Sequence, residues 1–485
     1  MIGIIIKKEI IDNLLSHKFL FIFIMCSVLI LFSIYIGAVD YVENKKEYDT
    51  NIATLNARMQ PPTTYTFFSE RSGYRVYRSP QILRTIVAGV EDAAGQASYP
   101  NLQYETNLSE SKHENNTIFT LFGSLDLMFT IKFILSLCAI FLAYDTVSGE
   151  KEKSTLKLML SNSVSRHQLI SGKVIGNYVS MLLIFLVPLL MGLILLLLFP
   201  GISFTGSDWL RLLFILIMFL LYVSVFFALG IFISTVTVRA STSFLVLFFS
   251  WLALVIVIPG AAVVVAEYFR PVPSSSMLAS QKAAVWFQIN GEVSEKYTPK
   301  LLELSQKRQK RQMELQPLSK EDPIRYQEEI QKVQDEMLKL SETRQQEFNE
   351  RLDANHIKED RDYQLKKDAQ QSLAKNLSRI SPAAVLTFGS MTLARTGTDE
   401  YDRFLAATRV YRPIFRNWRT FTDFRDPQTG ASKQIDVNLI PQFPFVPEKP
   451  VELLARTLPD FALMAAMTIL LLTGAFFAFM RYDVR

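Results

Sequence analysis

Asp145-Thr146-Val147-Ser148-Gly149-Glu150-Lys151-Glu152-Lys153-Ser154-Thr155-Leu156, running on to Ser171-Gly172-Lys173, is a charged stretch set between two long apolar runs. Hydrocarbon offers no partners for charge at this density, so such a segment projects from a membrane and the runs beside it cross one. Lys151, Lys153, Lys157, Arg166 and Lys173 give it the basic bias of a cytoplasmic loop. Glu150 and Glu152 alternate with Lys151 and Lys153, a pattern that can meet complementary charge on a partner. Leu156, Met159 and Leu160 fall at helical spacing as an apolar stripe. A short helix with one apolar side and charged ends can seat in a groove of another protein; the competing reading is a membrane-surface helix without a partner.

Working outward, the chain has apolar runs at about 18–40, 119–144, 174–199, 210–234, 243–266 and 461–480. Each holds roughly 20 or more mostly apolar residues, enough to cross a hydrocarbon core. The first is too long for a signal-peptide core and no clear cleavage motif follows it. A 485-residue chain that is 49% hydrophobic in such blocks reads as a polytopic α-helical membrane protein with six transmembrane helices. Lys7, Lys8 and Lys18 before the first run, Arg239 between the fourth and fifth, and Arg481 and Arg485 after the last share the side of the 145–173 loop. Both termini are therefore expected in the cytoplasm, and the segments 41–118 and 267–457 outside. The net charge of +5 is accounted for by these flanks and does not call for nucleic acid.

Residues 1–17 carry Ile6, Ile10 and Leu14 at four-residue spacing with Ile11 and Leu15 beside them, while Lys8, Glu9 and Asp12 fall elsewhere on the wheel. That is an amphipathic interfacial helix, or a plain extension of the first span. In 267–457 the Gln-, Glu-, Lys- and Arg-rich stretch carries Val293, Tyr297, Leu301 and Leu304 on one stripe. Ile330, Val333, Met337, Leu340, Phe348 and Leu352 form another. Pro317 ends the first arm, Ser319 can cap the second and Pro323 falls in its opening turn, so about 290–350 is expected to be an antiparallel helical hairpin. Tyr411, Phe415, Trp418, Phe421 and Phe424 suggest the core or the membrane-facing side of a small mixed α/β part to which the first outer segment is also expected to contribute.

Chemistry-bearing motifs are missing. No Walker A pattern, nucleophile elbow or His-Glu-x-x-His occurs, the four histidines are scattered, and Cys26 and Cys138 both lie in apolar runs. No metal site and no catalysis are expected. Asp126 and Lys132 are ionisable groups of the second span, either polar lining of a path or seam, or groups that snorkel or pair structurally. Pro188 and Pro259 should kink the third and fifth spans.

The stretch from Ser124 to Lys173 resembles ABC type-2 (ABC-2) exporter permeases. The residues concerned are Ser124-Leu125-Asp126, Leu137-Cys138-Ala139, Tyr144-Asp145, Ser148-Gly149-Glu150-Lys151-Glu152, Thr155-Leu156-Lys157-Leu158, Leu160-Ser161-Asn162, Ser165-Arg166 and Gly172-Lys173. Weaker similarity includes Arg78-Ser79-Pro80, Gly89, Arg239-Ala240-Ser241-Thr242, Pro259 and Arg481-Tyr482-Asp483-Val484-Arg485. Ser154 departs from the pattern, where those proteins often have glycine. The subgroup it most resembles has large outer insertions.

The resemblance implies an elbow helix at 1–17 and an ATPase-docking loop at 145–173, with Glu150, Lys151, Glu152, Leu156, Met159, Leu160, Arg166, Gly172 and Lys173 in it. It implies a multi-pass protein of a bacterial plasma membrane that is not itself an enzyme. ATP and magnesium would sit on a partner ABC ATPase dimer, with a second permease copy or a paralogue completing the pore. The alternative is a mechanical device that drives an outer protein through the hairpin.

Overall fold

The computed structural model describes residues 2–58, 75–98, 126–161, 165–317, 322–421 and 440–482. Of the residues singled out above, Ser124, Leu125, Asn162, Ser319, Phe424, Asp483, Val484 and Arg485 lie outside these, as do the side chains of Leu160, Ser161 and Phe421. Two compact units are distinguished. One takes in the residues up to Ala266 and from Leu373 onward; the other is built on Glu267–Ser372.

In the first unit, α1 (Ile2–Leu14) precedes the long α2 (His17–Arg58). Helix α3 (127–143) follows the N-cap Asp126, then come the short α4 (Ser148–Glu152) and α5 (Thr155–Ser161). Next are α6 (Arg166–Leu198), α7 (Gly206–Val236) and α8 (Ala240–Phe269). Among the described residues six helices are long and apolar enough to cross a membrane, and α2, α3, α6, α7 and α8 are five of them.

Most of the helices outrun their apolar runs; α3 does not, since it starts at Leu127 after its cap Asp126, inside the expected 119–144. Hydropathy marks the edge of hydrocarbon, whereas the helix continues while its residues allow it. Thus α2 persists through Glu43, Lys45, Lys46 and Glu47 to Arg58, well past the expected end at 40. Helix α7 is the hub of the packing: 67% of its apolar window is enclosed, against 17% for α8. Its start is fixed by a capping box in which Thr205 and Asp208 bond reciprocally. Gly230 lets it approach α3, because a Cβ there would lie 2.5 Å from that of Ala143.

Pro259 accounts for an irregularity in α8. A proline gives no N–H to the carbonyl four residues back and crowds it. Residues Ala253–Val257, just ahead of it, widen into a π-turn, within which the Leu254 carbonyl takes the hydroxyl of Ser381. Pro188 lies buried inside α6.

Segment 75–98 is tied to α2 by buried charge. Arg84, with no exposed side-chain surface, pairs with Asp40 and with Glu91 at 3.2 Å, and Arg78 reaches Glu91 at 2.9 Å. The only strands among the described residues are here, the two-residue antiparallel pair β1 (Val76–Tyr77) and β2 (Ala97–Ser98).

The second unit contains α9 (Ser275–Glu314) and most of α10 (Pro323–Ser378). Their ion pairs run Lys282–Asp360, Glu292–Arg351, Lys296–Glu347, Lys307–Glu336 and Arg311–Glu329. Numbers rise along α9 as they fall along α10, so the arms are antiparallel. Ile289, Val293, Tyr297 and Leu352 are buried between them, flanked by Leu340 and Phe348. At 40 and 56 residues the helices are about 60 and 84 Å long, well beyond the ~45 Å arms that 290–350 implies.

The chain then returns to the first unit with α11 (Pro382–Ala394), α12 (Thr398–Phe421) and the sixth apolar helix, α13 (Pro450–Met480). Helix α11 is apolar, short and largely buried against α7 and α13. Tyr411 and Phe415 of α12 form a small core with Phe404, Leu405, Ile440 and, from the first segment, Val76 and Leu55. Helix α13 begins at Pro450, eleven positions before the apolar run, with proline at its first turn where no N–H is needed.

Candidate functional site

The polar loop is held from above by span ends. Ser234 of α7 accepts the backbone N–H groups of Val147 and Ser148, both at 3.1 Å, which fixes the start of α4. On α4, three consecutive charged side chains then diverge to three different spans.

Glu150 meets Lys173 of α6 at 2.5 Å. Lys151, next to it, donates to the Thr235 and Thr237 carbonyls, at 3.1 Å for the latter, and lies 4.6 Å from the ring centroid of Tyr482. Those carbonyls are at the C-terminal end of α7, where unpaired acceptors and the helix dipole favour a cation. Glu152 accepts the Ala240 N–H at 2.9 Å, an anion at the N-terminus of α8. Arg166 completes the set by donating to the Met480 and Tyr482 carbonyls at 3.0 and 2.8 Å, at the C-terminal end of α13.

Lys173 has a second acid. Glu9 of α1 reaches it at 2.7 Å, and Glu9 also accepts from Asn177 at 3.3 Å. Asn13 donates to Asn177 and Ser180 at 3.0 and 3.2 Å. Helix α1 can lie this close because Gly172 and Gly176 present no side chains: a Cβ would stand 2.7 Å from Ile5 Cγ2 at the first and 2.6 Å from Glu9 Cβ at the second. One face of α1, with Ile5, Glu9 and Asn13, thus packs on α6, while Ile4, Ile11 and Leu15 stay exposed.

The apolar residues of the loop face the same way as its charges. Leu156 is 1% exposed, packed with Val147, Leu169, Ile170 and Phe479, with Met159 and Tyr482 at the edge. It does not lie on the outer side of the loop, as an apolar stripe meant for a partner would require. The outward residues are Lys153, Ser154, Thr155, Lys157 and Leu158, the last 68% exposed. Ser154 adopts φ 60°, the left-handed conformation that favours glycine, between α4 and α5.

The structure thus brings together Glu150, Lys151, Glu152, Leu156, Met159, Arg166, Gly172 and Lys173 around the span ends. Sequence reasoning missed Gly176, Asn177 and Ser234, and it named Glu9, Tyr482 and the outward Leu158 without assigning them to this site. The Gly-x-x-x-Gly spacing of 172 and 176 was the one readable signal of close helix approach.

Asp126 and Lys132 make no direct ion pair with each other. Asp126 caps α3 by accepting from Phe129 N at 2.7 Å and from Ala88 N at 2.9 Å. Among the described residues no cluster of three or more His, Cys, Asp or Glu could hold a metal ion.

A bundle of six apolar helices whose ends are gathered by one polar loop defines a multi-pass membrane protein, and the family follows from a direct comparison. A model of the family described as ABC-2 family transporter protein matches residues 4–484, and the chain belongs to that family. It is the transmembrane permease subunit of an ABC transporter, a class of subunit without an ATPase domain. ABC permeases generally pair with ATPase subunits. A comparison with curated proteins finds no match.

Proposed function

We propose that this permease takes a separate ABC ATPase dimer on the outward side of its 145–173 loop, on the cytoplasmic face, and passes the movement of that ATPase to several spans at once. The observation that carries this is the divergence of Glu150, Lys151, Glu152 and Arg166 to the ends of α6, α7, α8 and α13. A push on a loop so anchored reaches four helices, and α1 through Glu9. Lys153, Lys157 and Leu158 are the contact residues. Covering one exposed leucine is worth about 1.5–3 kcal/mol, more than a surface charge pair. A second copy, or a paralogue, completes the pore.

Leu158→Asp should therefore abolish copurification of the ATPase and its stimulated hydrolysis while leaving the permease folded in the membrane. Undiminished association would remove the docking role from this loop. A second reading, that ATP-driven motion works an outer protein through the hairpin, is favoured by the length of α9 and α10. Shortening both arms by matched heptads should then cost the external effect and spare substrate movement.

A further inference from the structure

The two arms of the hairpin differ in charge, and only toward the tip. Residues 300–314 of α9 carry five basic and two acidic side chains, a net of +3. Residues 322–342 of α10, on the facing arm, carry six acidic and three basic ones, a net of −3. Nearer the base the asymmetry vanishes, since 276–299 and 344–367 are each neutral.

Pairing between the arms does not use this charge up. Lys307 and Arg311 of α9 reach Glu336 and Glu329. Among the described residues, Arg308 and Lys310 of α9 and Glu328 and Glu342 of α10 make no ion pair, and Arg308 Nε has no hydrogen-bond partner.

Apolar residues are left uncovered at the same heights. The pairs Lys296–Glu347 and Lys307–Glu336 set the register, which puts Leu302 within a turn of the level of Leu338 on the other arm. Met313 and Ile324 stand near the ends of α9 and α10 that the tip joins. All four side chains are more than half exposed.

A basic arm beside an acidic arm is complementary to itself. When two such hairpins stand side by side about a two-fold axis parallel to their length, α9 of each meets α10 of the other at the same height. Cation then faces anion along both seams, whereas a hairpin of uniform charge would repel its copy. The same operation brings Leu302 of each copy to the partner's Leu338. One flank of two helices, each about 10 Å across and ~60 Å long, offers roughly 1,200 Å², above the ~800 Å² per partner of a standard stable interface.

We propose that the hairpins of two identical copies of this chain pack together, α9 of each along α10 of the other, and that this contact selects an identical copy over a paralogue as the second half of the permease. The proposal rests on the permease reading above, in which two such subunits share one membrane and project their hairpins on the same side.

The test uses the full chain, expressed as two differently tagged forms in one membrane, with a short thiol cross-linker added from outside. Leu302→Cys in one form and Leu338→Cys in the other should cross-link, while native Cys26 and Cys138 are buried and do not compete. Leu365→Cys in both forms is the control, an exposed site below the charged stretch, and should cross-link far less. Arg308→Glu with Lys310→Glu takes the α9 stretch from +3 to −1, and Glu328→Lys with Glu342→Lys takes the α10 stretch from −3 to +1. Either double reversal, placed in both forms, sets like charges together on each seam and should cut the 302–338 link about fivefold or more. One reversal in each form sets opposite charges together again on both seams and should recover the link. Recovery of that kind cannot come from pairing within a single hairpin, because each hairpin still has two arms of like charge.

An undiminished link in the double reversals overturns the proposal, as does a mixed pair that fails to recover or a control that links as strongly as 302 with 338. ATPase copurification is measured on the same membranes. Intact association without the hairpin link sinks this inference alone, and a hairpin link without ATPase association sinks the permease reading alone.

Discussion

The polar loop and the hairpin are built from the same residue types and behave as opposites. Both are dense in Glu, Lys and Arg, and both owe their geometry to ion pairs. In the loop, Lys173 is 3% exposed and held between two acids, and Lys151 is turned onto carbonyls at a helix end. In the hairpin, Lys296–Glu347, Lys307–Glu336 and Glu292–Arg351 lie at the surface between two arms. Buried pairs are tolerated only when complete, and removing one partner is expensive. Exposed pairs set register and contribute little else. The loop is therefore a rigid junction and the hairpin a strut whose surface charges can be exchanged.

The largest expected effect is at the junction. Lys173→Met leaves Glu9 and Glu150 facing each other without their cation, and should cost about 3–5 kcal/mol. Thermal unfolding followed by tryptophan fluorescence would show it, whereas Lys296→Met in the hairpin should barely move the midpoint. Equal shifts for the two variants would erase the contrast between the regions.

Leu156→Ala comes next. Truncating a buried leucine among Val147, Leu169, Ile170 and Phe479 should cost about 2–5 kcal/mol. The loss would appear as a lower midpoint in the permease alone, with no ATPase present. An effect visible only when the ATPase is added would mean Leu156 faces the partner after all.

Much of this was readable in the sequence, and the limits have physical causes. The apolar helices were legible because a span needs a long uninterrupted run, and no soluble element imitates that. The helix ends were not, since α2 continues through charged residues that prefer helix but not hydrocarbon. The hairpin stripes were visible because Val293, Tyr297 and Leu352 pack at helical spacing. The direction in which the loop's charged residues face was not legible, because it is decided by Thr235, Ala240 and Met480, far away in sequence. A charged residue looks the same on paper whether it caps a helix of its own chain or awaits a partner. Ser154 stands where glycine is common in similar chains, and its left-handed backbone is visible only in three dimensions.

That position gives a smaller, stabilising prediction. Ser154→Gly removes the left-handed penalty of a residue with a Cβ and should raise stability by about 1 kcal/mol. A fall in the unfolding midpoint would show that the turn does not need the freedom glycine supplies.

The smallest effect belongs to the hairpin and to pH. Glu292 is held below the ordinary glutamate value by hydrogen bonds from Gln288 and Arg351, and Glu347 by those from Lys296 and Tyr297. Lowered acids favour the folded form above the ordinary value of 4.5 and lose that contribution as pH falls through their lowered values. Spin labels at Leu302 and Leu338 should show a modest broadening of their distance distribution in that acid range, and also in high salt at neutral pH. Broadening on raising the pH from 5 to 7 would have the wrong sign.

The most direct test of the junction is a double-mutant cycle between α4 and α6, using Glu150→Gln, Lys173→Met and the pair, with equilibrium unfolding of the full chain in mixed micelles. If Glu150 and Lys173 form the internal tie described, the two losses overlap and the double variant is more stable than their sum by well over 1 kcal/mol. Losses that add to within about 0.5 kcal/mol would mean that the two residues act independently. The loop would then not be the element that gathers the spans.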